Sequence, residues 1–113
     1  MTDDERMLQI DTLLSHVWLV RTFLKHCEEA EEDEELRDVH RALYDFMLAL
    51  GGPLANNDSQ AYLKQAAKKI SRLRAASELF LQIQPEISSH TNFKMAAVSL
   101  STAVKQVDEL LAD

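Results

Sequence analysis

Four separate segments place apolar residues at alternating spacings of three and four. That periodicity commits the chain to helices that each bury one stripe. The first stripe reads Ile10, Leu13, Val17, Val20, Leu24, Cys27, and the second Leu36, Val39, Leu43, Phe46, Leu50. The third is Leu63, Ala66, Ile70, Leu73, Ser77, Phe80 with Ile83, and the fourth Phe93, Ala97, Leu100, Val104, Val107, Leu111. No segment alternates with period two over a useful length, so no strand is predicted. Gly51, Gly52 and Pro53 predict the stop of the second helix, glycine as a left-handed cap and proline against resumption. Pro85 predicts the stop of the third. Asn57, with Gln60 three residues on, predicts the third helix's start, and Ser89 or Thr91 the fourth's. The expected helices, about residues 4–30, 33–50, 58–84 and 90–112, are joined by short connections. The simplest fold for them is all-α, a single domain built as an antiparallel up-down-up-down four-helix bundle.

At 113 residues the chain has room for one core and not two. Two glycines, two prolines and 46% hydrophobic residues mark a globular composition. The formal charge of −7 argues against nucleic acid, whose binding draws on lysine and arginine. The start, MTDDER, lacks the basic, apolar build of a secretory leader, and no apolar run approaches the ~20 residues that span a bilayer. Cys27 is the only cysteine, so no intrachain disulfide can form. The expected location is the cytoplasm, with no membrane partner.

The first helix is apolar on nearly every side. Beside its stripe, Leu14 with Trp18 and Leu19 with Phe23 form flanking rows that also need cover. Aromatic anchors are enriched at interfaces, so Leu14, Trp18, Leu19 and Phe23 are the expected interface, with a homodimer through this helix as its simplest form.

Charge is lopsided. Residues 1–50 hold 13 acids and 5 bases, whereas 51–113 hold 6 acids and 7 bases. Seven carboxylates crowd the eight residues Glu28 to Glu35, between the first two helices. Asp33, Glu34 and Glu35 suit the start of the second helix, where negative charge is favoured and Asp33 can cap. Glu28, Glu29, Glu31 and Glu32 have no such structural reason and are expected to be a charged surface open to a basic partner or a cation. Lys64, Lys68 and Arg72 share one face of the third helix at spacings of four, a second charged surface.

Motifs for chemistry are sparse. The Glu-x-x-His pairs of di-iron bundles are absent, and His26 with Glu29 is the one helical pair near the acidic turn. That turn lacks the alternating ligands and central glycine of an EF-hand loop. Cys27 lies on the buried stripe near acids, which oppose thiolate formation. Arg21 and His26 fit the loose arginine-to-histidine spacing of HEPN-type nucleases, though an acidic surface would repel RNA. Histidine phosphotransfer domains carry a lysine and a glycine three and four residues after the reactive histidine. Here His16 is followed by Leu19 and Val20, and His40 by Leu43 and Tyr44. Histidines of this kind belong at the edge of a core, hydrogen-bonded to a neighbour, and His90 belongs at a helix start or in a loop. No glycine-rich phosphate loop, nucleophile elbow or zinc spacing occurs.

The expectation is a non-enzymatic helical bundle, without metal or cofactor, that binds other proteins. The alternatives are a metal- or ligand-binding bundle and a phosphotransfer-like or HEPN-like role. The two classes separate on one structural point: a binding module has a dry apolar core, whereas a site needs histidines or carboxylates converging on an inner pocket.

Overall fold

The computed structural model describes residues 1–112; Asp113 lies outside the described residues. Every regular element among them is helical: α1 (Asp3–His26), α2 (Glu29–Glu32), α3 (Glu34–Ala55), α4 (Ser59–Ile87) and α5 (Thr91–Ala112). The molecule measures 41 × 22 × 19 Å. At a rise of 1.5 Å per residue the 29 residues of α4 span about 43 Å, so this helix alone sets the long dimension.

Local chemistry explains most ends. The Thr2 hydroxyl accepts from the Glu5 N–H at 3.1 Å while the Glu5 carboxylate accepts from the Thr2 N–H at 3.3 Å, a reciprocal box that starts α1. These two bonds also hold the Glu5 carboxyl below its ordinary range. Asp33 caps α3 as expected, its carboxylate accepting from the Leu36 N–H at 2.9 Å. At α4 the cap is Asp58 and not Asn57, with the Ala61 N–H donating at 3.1 Å. Asn57 instead takes the left-handed conformation, φ 52°, that turns the chain between α3 and α4. His90, rather than Ser89 or Thr91, closes the start of α5. Its carbonyl accepts from the N–H groups of Phe93 and Lys94, and its ring Nδ1 accepts from the Asn92 N–H at 3.0 Å.

Three expected boundaries shift. α1 ends at His26, because Cys27 is extended, and the acidic stretch then winds one separate turn, α2, anchored by buried Ala30. Residues Gly51, Gly52 and Pro53 stay helical, and α3 runs on to Ala55. Pro85 likewise lies inside α4. Both prolines occupy the last turn, where the missing N–H removes one ladder bond and leaves the rest intact. The carbonyls of Gly52, Pro53 and Leu54 are collected by the N–H groups of Asn56, Asp58 and Asn57.

Helix α1 packs against α3 and α5 and touches α4, while α4 lies against α3 and α5. The core between them is continuous. All five residues of the α3 stripe are buried, as are Phe93, Ala97, Leu100, Val104 and Val107 of α5. On α1 the buried line is Met7, Ile10, Leu14, Val17, Val20 and Leu24; Leu13 and Cys27 sit at its margin. Tyr62 adds a side chain that the stripes left out, and it is fully buried. No helix among the described residues is long and apolar enough to cross a membrane.

The Tyr62 hydroxyl has no hydrogen-bond partner among the described residues. Burial, with the nearby Asp11 charge, pushes the phenol's pKa upward. A buried, unpaired hydroxyl costs stability, so Tyr62→Phe is expected to stabilise the fold by about 1 kcal/mol. Urea unfolding followed by circular dichroism measures this, and a loss of stability would show that the hydroxyl is satisfied in solution.

Candidate functional site

One stripe of α1 runs along the edge of the core and carries most of its unusual chemistry. Asp11, Leu14, Trp18, Arg21 and Lys25 recur at spacings of three and four and therefore share a face. Leu14 turns inward and is 1% exposed, so it belongs to the core and not to an exposed interface. Trp18 is 44% exposed. On α3, Tyr44 and Leu48 lie one turn apart, 39% and 65% exposed. Between the two helices runs a groove of about 310 Å³, walled by Trp18, Tyr44, Met47, Leu48 and Leu54, with Asp11 and Gly51 on its margin.

Arg21 lies beside the aromatic pair. Its guanidinium carbon stands 4.4 Å from the centre of the Trp18 ring and 5.1 Å from that of Tyr44, so the cation is held against two π faces. The residue is only 9% exposed, its Nε is buried without a partner, and its Nη1 makes one long bond, 3.4 Å, to the Thr22 hydroxyl. No carboxylate among the described residues forms an ion pair with it. Next to it on α3 is His40, half-buried, with its Nε2 also enclosed and unpartnered. Burial lowers the His40 pKa first, and the charges of Arg21, Lys25 and Arg41 lower it further. Arg21 thus stands against the aromatic wall of the groove with His40 beside it, and the charges of Lys25 and Arg41 reach the same imidazole.

The other interface candidates divide. Phe23 is half-buried and meets Phe93 of α5 edge-on, centroids 5.0 Å apart at 70°, so it ties two helices of the same chain together. Leu19 is 65% exposed, but two residues and one helix face away from Arg21 it stands apart from the groove. The remaining histidines go elsewhere. His16 hydrogen-bonds through Nδ1 with the Ser99 hydroxyl at 3.0 Å, and His26 is exposed at the end of α1. They do not converge on one inner pocket. Arg21 and His26, the nuclease-like pair, stand respectively against the aromatic rings and in solvent.

Of the charged surfaces, Lys64, Lys68 and Arg72 are exposed on α4. Arg72 and Lys69 face Asp38 and Asp45 of α3 across a shallow pocket, and Arg74 pairs with Asp108 of α5 at 3.6 Å. Of the basic run, Arg74 is thus ion-paired to a neighbouring helix. Glu28, Glu31 and Glu32 are exposed and Glu29 half-exposed around α2. Arg37 reaches back to donate to the Glu31 carbonyl at 2.8 Å. Among the described residues no three of His, Cys, Asp or Glu gather as metal ligands. Cys27 is half-buried, its thiol donating to the Leu24 carbonyl at 3.2 Å, and burial raises its pKa before the Glu29 charge adds to the effect.

Sequence periodicity singled out Trp18 but missed Tyr44 and Leu48 as wall residues. Their spacing of four, one position off the buried stripe of α3, is the signal that marks them, and it gains meaning only once α3 lies beside α1.

The His40 environment has a pH consequence. Because the folded chain binds this proton less readily than the unfolded chain, stability is intact above the unfolded pKa of about 6.5 and is lost as pH falls below it. The urea midpoint is expected to fall between neutral pH and pH ~5 by less in His40→Gln than in the parent chain. Equal slopes would exclude His40 as the source. No family model, curated protein or solved structure matches the chain.

Proposed function

We propose that this chain is a small cytoplasmic protein-interaction module without enzymatic activity. Its four long helices form an antiparallel up-down-up-down bundle, and the α1/α3 groove is its docking face. The observation that carries this reading is the exposed row of Trp18, Tyr44 and Leu48 around an apolar groove on the outer surface. Large apolar side chains that cluster at a surface depression are the usual core of a protein interface, with tryptophan, tyrosine and arginine its usual anchors.

Two further features support it. Among the described residues the buried side chains are apolar apart from Ser77, Gln84, Arg21 and the Tyr62 hydroxyl. The net charge of −7 favours a protein over a nucleic acid as the partner. The basic groups beside the groove then serve as a charged rim that sets orientation.

Affinity capture from a native extract tests the reading when done in parallel with Trp18→Ala and Leu48→Glu. Each variant is expected to lose the captured protein by about tenfold or more while circular dichroism and the urea midpoint stay near those of the parent, since truncation of a central aromatic anchor costs about 2 kcal/mol or more. Capture that is indifferent to both changes would place the docking face elsewhere.

A further inference from the structure

The partner that fits the α1/α3 groove is legible in the order of charges along α1. Asp11 and Lys25 lie on one helical stripe with Trp18 midway, seven residues from each. At 1.5 Å per residue the two charges stand about 21 Å apart along the helix. Asp11 lines one end of the groove, and its carboxylate makes no hydrogen bond or ion pair among the described residues. Desolvation raises its pKa. Against the Trp18 and Tyr44 rings of the groove wall stands the guanidinium of Arg21, with Lys25 one helical turn further along α1, and neither makes an ion pair among the described residues. The stripe thus reads acid, aromatic, base, with both charged ends unanswered inside the chain.

We propose that the α1/α3 groove binds a second copy of this chain across a two-fold axis at Trp18, so that Asp11 of each copy meets Lys25 of the other. A two-fold axis pairs residues in reciprocal fashion, and a stripe with opposite charges equidistant from an aromatic centre is complementary to itself when reversed. Asp11 of the second copy then lies about one helical turn along from Arg21 and brings a negative charge to the basic end of the stripe. Trp18 of each copy stacks beside the other and covers the exposed edge of Tyr44.

Gly51 adds an independent observation. It lies inside α3, where glycine costs about 1 kcal/mol relative to alanine, yet an added Cβ would meet nothing within 4 Å. Packing within the chain gives no reason for glycine there. Because Gly51 lines the groove, its missing side chain keeps the wall low where a residue of the second copy would rest.

The inference rests on the groove being a protein-docking face, and its test separates the two. Sedimentation of the full chain from low to high micromolar concentration is expected to show a reversible monomer–dimer equilibrium. Trp18 is the only tryptophan, so its fluorescence should shift to the blue along the same concentration axis. Asp11→Lys and Lys25→Asp should each weaken the dimer by about tenfold or more, because each sets like charges opposite one another twice. An equimolar mixture of the two variants should recover the dimer, since both contacts in the mixed pair are again attractive. Gly51→Met should block association while leaving the helical signal and urea midpoint of the monomer unchanged or raised, which guards against a variant that merely unfolds.

A clean monomer at high micromolar concentration overturns the inference. So does a dimer that ignores both charge reversals or is not restored in the mixture. If the chain is monomeric but Trp18→Ala and Leu48→Glu still abolish capture of another protein, the docking face stands and the second copy is excluded as its occupant.

Discussion

Everything in this fold depends on α1 finding its rotation about its own axis. Burial of a stripe against neighbouring helices, rather than intrinsic propensity, provides most of a helix's stability in a protein. For α3 the choice is simple, because its five buried residues form one unbroken stripe. α1 is apolar on several sides and must serve α3, α5 and α4 at once. The rotation it adopts buries Met7, Ile10, Leu14, Val17, Val20 and Leu24 and leaves Trp18 and Leu19 outside. A turn of the helix by one residue would bury Trp18 and drive Lys25 toward the core in one direction, or bury Leu19 and drive His16 there in the other.

That rotation also accounts for Arg21. It lies on the margin of the buried line, so its stem is enclosed and its guanidinium must find company at the surface. The faces of Trp18 and Tyr44 provide it. A cation held by two rings keeps its charge without an adjacent carboxylate, because the ring faces are electron-rich and arginine is weakly hydrated for an ion. The same contact fixes the rim of the groove, which would otherwise be two mobile aromatic side chains.

The sequence disclosed the stripes, the absence of strands and the cap at Asp33, since each of these is set by residues within one turn of one another. It misplaced the ends at Pro53 and Pro85, because a proline in the last helical turn sacrifices a single bond that tertiary contact readily offsets. It took Gly51 and Gly52 for a left-handed cap, a conformation that Asn57 adopts instead. The candidate site was legible by halves. Trp18 declared itself as an aromatic beside a stripe, whereas Tyr44 and Leu48 look like ordinary flanking residues until α3 lies against α1. Arg21 attracted notice as part of a short nuclease-like pattern, and its aromatic neighbours, one of them 23 positions further along, were beyond local reading.

The bond between His16 and Ser99 joins residues 83 positions apart, and Phe23 meets Phe93 over a comparable separation. The α3 and α4 pair, by contrast, closes through a short turn. Loop closure therefore weighs against the seating of α1 on α5 far more than against the α3–α4 hairpin. The helix that carries Trp18 is thus the one whose contacts with α5 close the longest loop. Any molecule seated across α1 and α3 clamps that helix in place, so occupancy of the groove adds to the chain's resistance to unfolding.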